Sequence, residues 1–261
     1  MQVFSFRNLR VAILLFILAY AAIYTKQQRL TTTSWYKPIT VIVFPINGDN
    51  TSKTAEYIRR LTGNSFQDID RFFAKNAEKY DLIARQPIRT ELGNSINALP
   101  PSPPADRNSI LRAVLWSLKL RYWAYKHTPD NSSNSDRIRL FVIYHQQNSR
   151  PLNHSLGLQK GLIGVIHAYA NPQQDKQNTI VMTHEIFHTV GATDKYDQRN
   201  QPLYPIGYAD PDRRPLYPQN NAEIMAGRLA ISADKAVMPA SLGNVVVGHT
   251  TAREVNWLTT P

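Results

Sequence analysis

The chain has no cysteine among its 261 residues. Disulfides are therefore excluded, and so are cysteine-built zinc sites and any latency device that needs a thiol. An exported protein of this sequence must take its stability from its core and from bound ions. Acidic residues are also few, 19 against 30 lysines and arginines, for a formal net charge of +11. That surplus is spread along the chain without a dense basic cluster or an interleaved aromatic repeat, which argues against nucleic acid as a partner. Attraction to anionic lipid or envelope polymers fits the charge, as does a merely solubilising surface.

Nor is there an unbroken apolar run of the roughly 20 residues that comfortably span a bilayer. The longest candidate is Val11 to Tyr24, fourteen uncharged residues preceded by Arg7 and Arg10 and followed by Lys26 and Arg29. Three roles fit it: a signal peptide with a cleavage site among Ala19, Ala21 and Ala22, a retained anchor, or a buried helix of the soluble domain. Tyr20, Ile23 and Tyr24 are bulky for a cleavage site and favour the anchor. In the first two roles the preceding positive charge puts the remainder outside the cytoplasm, membrane-anchored, or secreted if residues around 1–22 are removed. Residues 1–30 are thus set apart from a single folded domain, 31–261.

What is present reads as an ordinary globular domain, with 43% hydrophobic and 10% aromatic residues, whose 17 prolines imply long irregular connections. Gln27 to Lys37 reads as a polar spacer, and Ile39 to Ile46, ITVIVFPI, as an interior strand ended by Gly48, Asp49 and Asn50. From Lys53 to about Tyr80 the pattern is helical in two pieces broken at Gly63 and Asn64. Ser65 is a candidate N-cap for the second, whose Phe66, Ile69, Phe72, Phe73 and Ala77 recur at core-facing spacing. Ile88 to Leu92 is a short strand. A helix follows from Asp106 to about Lys126, with Ile110, Val114, Leu115, Leu118 and Tyr122 on one face. After a polar loop at Asn131 to Ser135, strands are expected over Ile138 to Tyr144 and Gly161 to Ala170. This alternation predicts an α/β (α+β) domain with helices packed on a sheet. The final third, Ala192 to Gly248, reads as loop-rich, with short helical pieces near Ala222 and Ser232, before a closing helix over Thr250 to Leu258.

The chemistry is concentrated in Asn178 to Asp197, NTIVMTHEIFHTVGATDKYD. His184, Glu185 and His188 form HExxH in a window whose apolar residues predict a buried helix capped near Asn178. One turn separates the two histidines, so both imidazoles can bind one zinc ion, and Glu185 then stands beside the open coordination position, able to take a proton from water. Gly191 follows where a left-handed residue can end the helix and turn the chain. Asp194, three residues on, can return its carboxylate to the same metal.

His184-Glu185-x-x-His188-x-x-Gly191-x-x-Asp194 resembles the elongated zinc signature of the metzincin clan of metallopeptidases, in the variant with aspartate as third ligand. GATDKYD also looks like the corresponding stretch of the immune inhibitor A-like bacterial peptidases. The resemblance implies a metzincin-like zincin domain: a twisted, mostly parallel mixed sheet, an active-site helix beneath a cleft, and an edge strand that binds extended substrate, a role for which Gly161 to Ala170 stands in place. It also implies a methionine turn beneath the metal, for which Glu223 to Gly227, EIMAG, offers Met225.

Asp197 and Glu223 are alternatives to Asp194 as third ligand, since any of these carboxylates suits zinc. Among the late tyrosines Tyr196, Tyr204, Tyr208 and Tyr217, Tyr217 is the preferred candidate to stabilise an oxyanion. Asp194, Asp197, Asp210, Asp212 and Asp234 together offer a calcium site, although their spacing lacks a regular calcium-loop pattern and favours turn capping. His167 could line the cleft, whereas His127, His145, His154 and His249 have no ligand spacing. The expected reaction is zinc-dependent hydrolysis of a peptide bond in a protein or peptide substrate. The rival readings are a peptidase for cell-wall or small peptides, and a tethered module in which the metal is only structural.

Overall fold

The run ITVIVFPI becomes strand β1, Ile39–Asn47, buried on both sides along almost its whole length because it lies inside a five-stranded sheet. In the computed structural model, residues 6–104, 109–128, 137–147, 155–159 and 162–258 are described. The sheet order is β2-β1-β3-β5-β4, with β2 at Ile88–Leu92, β3 at Ile138–His145, β4 at Leu156–Leu158 and β5 at Ile163–Tyr169. The first four strands are parallel and β4 pairs antiparallel to β5, so the sheet is mixed. The domain is α/β as the alternation of elements implies.

Each face of the sheet carries its own core. On one face Val41, Val43, Leu140, Val142 and Ile166 pack against helices α3, Gln67–Lys79, and α5, Asp175–Thr189, with Phe73 stacked on Phe187 at 4.8 Å. The short helix α2, Ser52–Arg60, lies on the same face, with Tyr57 against Tyr144. On the other face Ile42, Phe44, Phe141, Ile143 and Val165 meet Leu120 and Ala124 of helix α4, Ile110–His127, and Trp123 of α4 packs edge-on against Phe141.

Several sequence expectations are corrected. The face Ile110, Val114, Leu115, Leu118 and Tyr122 of α4 is exposed, and the core is met instead by the opposite side of that helix. Ser65 does not cap α3: its hydroxyl accepts from Thr62 N inside a short 3-10 turn, Gly63–Phe66, that precedes α3. The spacer is not wholly polar, because Trp35 is 2% exposed, donates to the Val255 carbonyl and packs edge-on against Trp257. The helical pieces near Ala222 and Ser232 are short strands. β6, Ala222–Glu223, pairs with β9, Val245–Val246, and β7, Leu229–Ala230, pairs with β8, Ala236–Val237. Helix α6, His249–Glu254, falls where a closing helix is expected.

Asp106, Asn131 to Ser135, His154 and Gly161 lie outside the described residues. The N-terminal apolar run sits within helix α1, Phe6–Thr32, and among the described residues no helix is long and apolar enough to cross a membrane.

Candidate active site

Helix α5 starts earlier than its sequence suggests, at Asp175, and Asn178 is not its cap. The Asn178 amide instead grips the end of β5, accepting from Tyr169 N at 3.2 Å and donating to Tyr169 O at 2.9 Å. The helix is pinned a second time where Tyr57 donates to Asp175. With its start fixed to β5 and Phe187 buried among Phe72, Phe73 and Trp257, α5 has one rotational setting. That setting leaves His184 and His188 half-buried on one side and Glu185 nearly enclosed beside them.

Beyond Thr189 the chain reverses. Ala192 N donates back to Phe187 O, and Gly191 adopts φ 110°, a conformation that side chains rarely take; a Cβ there would also meet Gln159 Nε2 at 2.7 Å. The reversal returns Asp194, whose Oδ1 stands 3.1 Å from both His184 Nε2 and His188 Nε2. Each imidazole is held through its other nitrogen: His184 Nδ1 meets the Ile224 carbonyl and His188 Nδ1 the Ala192 carbonyl, both at 2.9 Å. Carbonyls only accept, so each Nδ1 carries a proton, and each Nε2 is directed at the shared point, where it meets Asp194 Oδ1 and can ligate a metal through its lone pair once it carries no proton. The three ligand atoms lie within 4.8 Å of one another, and among the described residues theirs is the group that could hold a metal ion.

The electrostatics agree with the geometry. Burial opposes charge on Asp194, but hydrogen bonds from both imidazoles keep its carboxyl far below the usual range. Burial also opposes protonation of His184, yet Asp194, Glu185 and the Ile224 carbonyl raise it overall. Burial raises Glu185 above the ordinary carboxylate range, and its Oε2 has no hydrogen-bond partner among the described residues. An enclosed acceptor beside a convergent His-His-Asp set fits a water molecule held between it and a metal. Two nitrogens and one carboxylate oxygen with an adjoining open side form a donor set suited to zinc.

No protein-family profile and no curated protein matches this sequence. Among solved structures, wild-type OgpA from Akkermansia muciniphila aligns at 11% identity and a TM-score of 0.39, over 83% of this chain. The alignment takes in 59% of the OgpA chain, a correspondence too loose to define a shared fold.

The remaining sequence candidates fall into place around the cluster or away from it. Met225 is fully buried in the turn after β6; its carbonyl accepts from Lys195 N, and that of Ile224 receives His184, so one turn braces both ends of the ligand set. Glu223 is committed elsewhere, accepting from Met225 N, Ala226 N, Gly248 N and the Thr251 hydroxyl. Asp197 caps its own turn through Arg199 N and Gln201 N. Tyr217 pairs with the Tyr208 hydroxyl at 2.8 Å. The tyrosine against the cluster is Tyr196, its ring 6.2 Å from that of His184 and its phenol raised to about 12 by burial and the Asp194 and Glu185 charges. His167 points to the sheet face opposite α5, with its Nδ1 3.1 Å from His145 Nε2. Asp197, Asp210, Asp212 and Asp234 enter no group of three ligands among the described residues, so the calcium expectation gains no site there.

Two features were not legible beforehand. Lys195, fully buried, donates to Glu254 Oε2 at 2.7 Å, and Glu254 also accepts from Thr193 N and its hydroxyl. The residues on either side of Asp194 are thereby tied to α6. The edge strand is β4, not the Gly161 to Ala170 strand, because β4 covers the outer edge of β5. Gly157 at its centre lies so close to α5 that a Cβ would meet Glu185 O at 2.5 Å and His188 Cβ at 2.7 Å.

Proposed function

We propose that this chain is a zinc-dependent hydrolase of peptide bonds with a metzincin-type site, in which His184, His188 and Asp194 hold the metal and Glu185 is the general base. The observation that carries the reading is the enclosed Glu185 Oε2, without a hydrogen-bond partner among the described residues, beside the three convergent ligand atoms. A carboxylate that served structure alone would be satisfied by protein donors, whereas a base must keep an acceptor free for the proton it removes. When bound, zinc supplies Lewis acidity, polarising the scissile carbonyl and making a water molecule more acidic.

The chain's own residues do the rest. Glu185 Oε2 receives the proton from the attacking water and hands it to the leaving amine, and its raised affinity for protons suits both tasks. The Tyr196 phenol, protonated at neutral pH and bonded to Asp194, turns to steady a developing oxyanion on this reading. The edge strand β4 accepts an extended peptide by main-chain pairing, and Gly157 brings that strand down onto Glu185 and His188. The Met225 turn keeps the His184 ring in its tautomer through the Ile224 carbonyl. The N-terminal segment, on this reading, tethers a domain that works outside the cytoplasm.

The test is metal content together with cleavage of a peptide library, for the natural chain and for Glu185→Gln. One zinc in each protein, with cleavage only by the natural one, is the expected result. Zinc in both without cleavage by either would favour a structural metal in a binding module. Absence of zinc from both would end the proposal.

A further inference from the structure

Helix α4 has two apolar sides, and among the described residues only one of them is packed against the sheet. Trp116, Leu120, Trp123 and Ala124 meet the sheet. The opposite side carries Ile110, Leu111, Val114, Leu115, Leu118, Tyr122 and Tyr125, exposed to between 50% and 82%. These residues recur in steps of three and four, a single stripe along the helix, and soluble surfaces rarely leave so many large apolar side chains contiguous. Tyr122 and Tyr125, apolar rings with polar tips, stand at one end of it.

The charges around the stripe decide what could cover it. α4 contains no acidic residue. Arg112, Lys119 and Lys126, spaced one heptad apart and exposed, follow one border of the stripe, and Arg121 stands on the other. Docking α4 against a second copy of itself would set like charges face to face. Docking it against α1 would do the same, since α1 also has basic residues and no acidic one. An anionic surface with an apolar interior matches both features at once. The other exposed apolar side chains point the same way: among the described residues 24 large ones are exposed, nine of them on α1 and seven on α4, so these two helices carry most of that exposed apolar surface.

We propose that α4 is an interfacial membrane-docking helix, which lays its Leu111–Leu115–Leu118–Tyr122 stripe into an anionic phospholipid bilayer while its lysines and arginines meet the headgroups. Because α4 and α5 pack on opposite faces of the sheet, docking leaves the His184–His188–Asp194 cluster facing away from the lipid and open to substrate. The inference stands independently of the catalytic reading.

The absence of cysteine provides a site-specific probe. An environment-sensitive fluorophore is placed on Leu118→Cys in the full chain and, as a control, on Lys53→Cys of α2, exposed on the face of the sheet opposite α4. Vesicles of phosphatidylcholine containing phosphatidylglycerol should shift the Leu118 label to the blue. Pure phosphatidylcholine should shift it far less, and the Lys53 label should not respond. Lys119→Glu with Lys126→Glu should weaken the response by about tenfold or more, and added salt should weaken it too. A Leu118 label that ignores lipid overturns the proposal. So does one already blue-shifted without lipid, which would mean that a segment of the chain covers the face, or one whose shift follows protein concentration alone, which would mean a second copy. An equal response at Lys53 would show non-specific insertion and also overturn it. The same label on Leu115→Cys, with circular dichroism unchanged, guards against a fault in one variant.

Discussion

Glu185 on α5 and Glu223 on β6 are both withdrawn from solvent, at 4% and 0% exposure, and burial raises both carboxyls above their ordinary range. Their surroundings differ completely. Glu223 accepts from three backbone amides and a hydroxyl, so it acts as a knot joining the Met225 turn to the start of α6. Glu185 keeps an oxygen with no partner among the described residues while standing beside two imidazoles. A buried acid whose acceptors are filled is part of the scaffold, and one whose acceptor is left empty at a cluster of ligands is available for chemistry. The same conservative substitution should therefore have opposite consequences at the two positions.

Glu185→Gln is expected to lower kcat/KM by about a hundredfold to ten-thousandfold, the range for loss of a general base. Its melting temperature should hold or rise, since an unpaired buried acid is removed, and zinc content should not change. Steady-state kinetics, metal analysis and thermal melts on one preparation check all three. A large fall in melting temperature would place Glu185 with Glu223 as a structural acid and erase the contrast between them.

A third acid sharpens the comparison, because Glu254 is held by a buried cation. Lys195→Met leaves Glu254 facing Thr193 without its ion-pair partner, at a cost of about 3 kcal/mol in chemical denaturation. Asp194, flanked by both anchored residues, should loosen, and zinc affinity should fall by roughly tenfold to a hundredfold. The pH dependence has a definite sign. Although burial opposes charge on Glu254, Lys195 and Thr193 depress its pKa in the fold. The stability it contributes is therefore present above the unfolded glutamate value, about 4.3, and lost as pH falls through the lower folded value. Denaturation of the natural chain should show that acid loss, and the double variant Lys195→Met with Glu254→Leu should lack it.

Glu223→Gln is expected to cost about 2 kcal/mol, since the amide turns a donor toward backbone N–H groups or Thr251 that previously met an acceptor. Its activity at a temperature well below its melting point should fall far less than that of Glu185→Gln. Urea denaturation with activity measured in parallel distinguishes the pair.

How much of this was legible in the sequence follows from the range of each interaction. His184, Glu185, His188, Gly191 and Asp194 lie within one helix and its turn, so local geometry fixes their meeting and spacing alone points to it. The strands β1 and β3 were equally plain, because interior strands read as branched apolar runs. The tie from Lys195 to Glu254 and the commitment of Glu223 to Thr251 join residues far apart in the chain, and no local pattern announces either. Tyr217 and Tyr196 look alike in sequence, yet only the latter is placed by the Gly191 reversal beside His184. α4 misled for a different reason: it is apolar on two sides, and periodicity cannot tell which of them faces the sheet. β4 spans three residues, too few to show an alternating pattern, and its one signal was a glycine.

That glycine allows the most delicate test of the pair of acids. Gly157→Ala adds a Cβ against the Glu185 carbonyl oxygen and the His188 Cβ, backbone and helix stem that cannot swing aside, so β4 must lift from α5. The expected cost is about 1–2 kcal/mol, in the range of a one-carbon overpacking. If β4 carries the substrate, lifting it displaces the peptide from Glu185 without touching a ligand. KM should then rise several-fold and kcat fall less, with zinc content unchanged and nothing altered around Glu223. A change confined to kcat would mean that the added carbon acts on Glu185 itself, and a loss of zinc would mean that it reaches His188. Either result would separate the edge strand from substrate binding while leaving the contrast between the two buried acids intact.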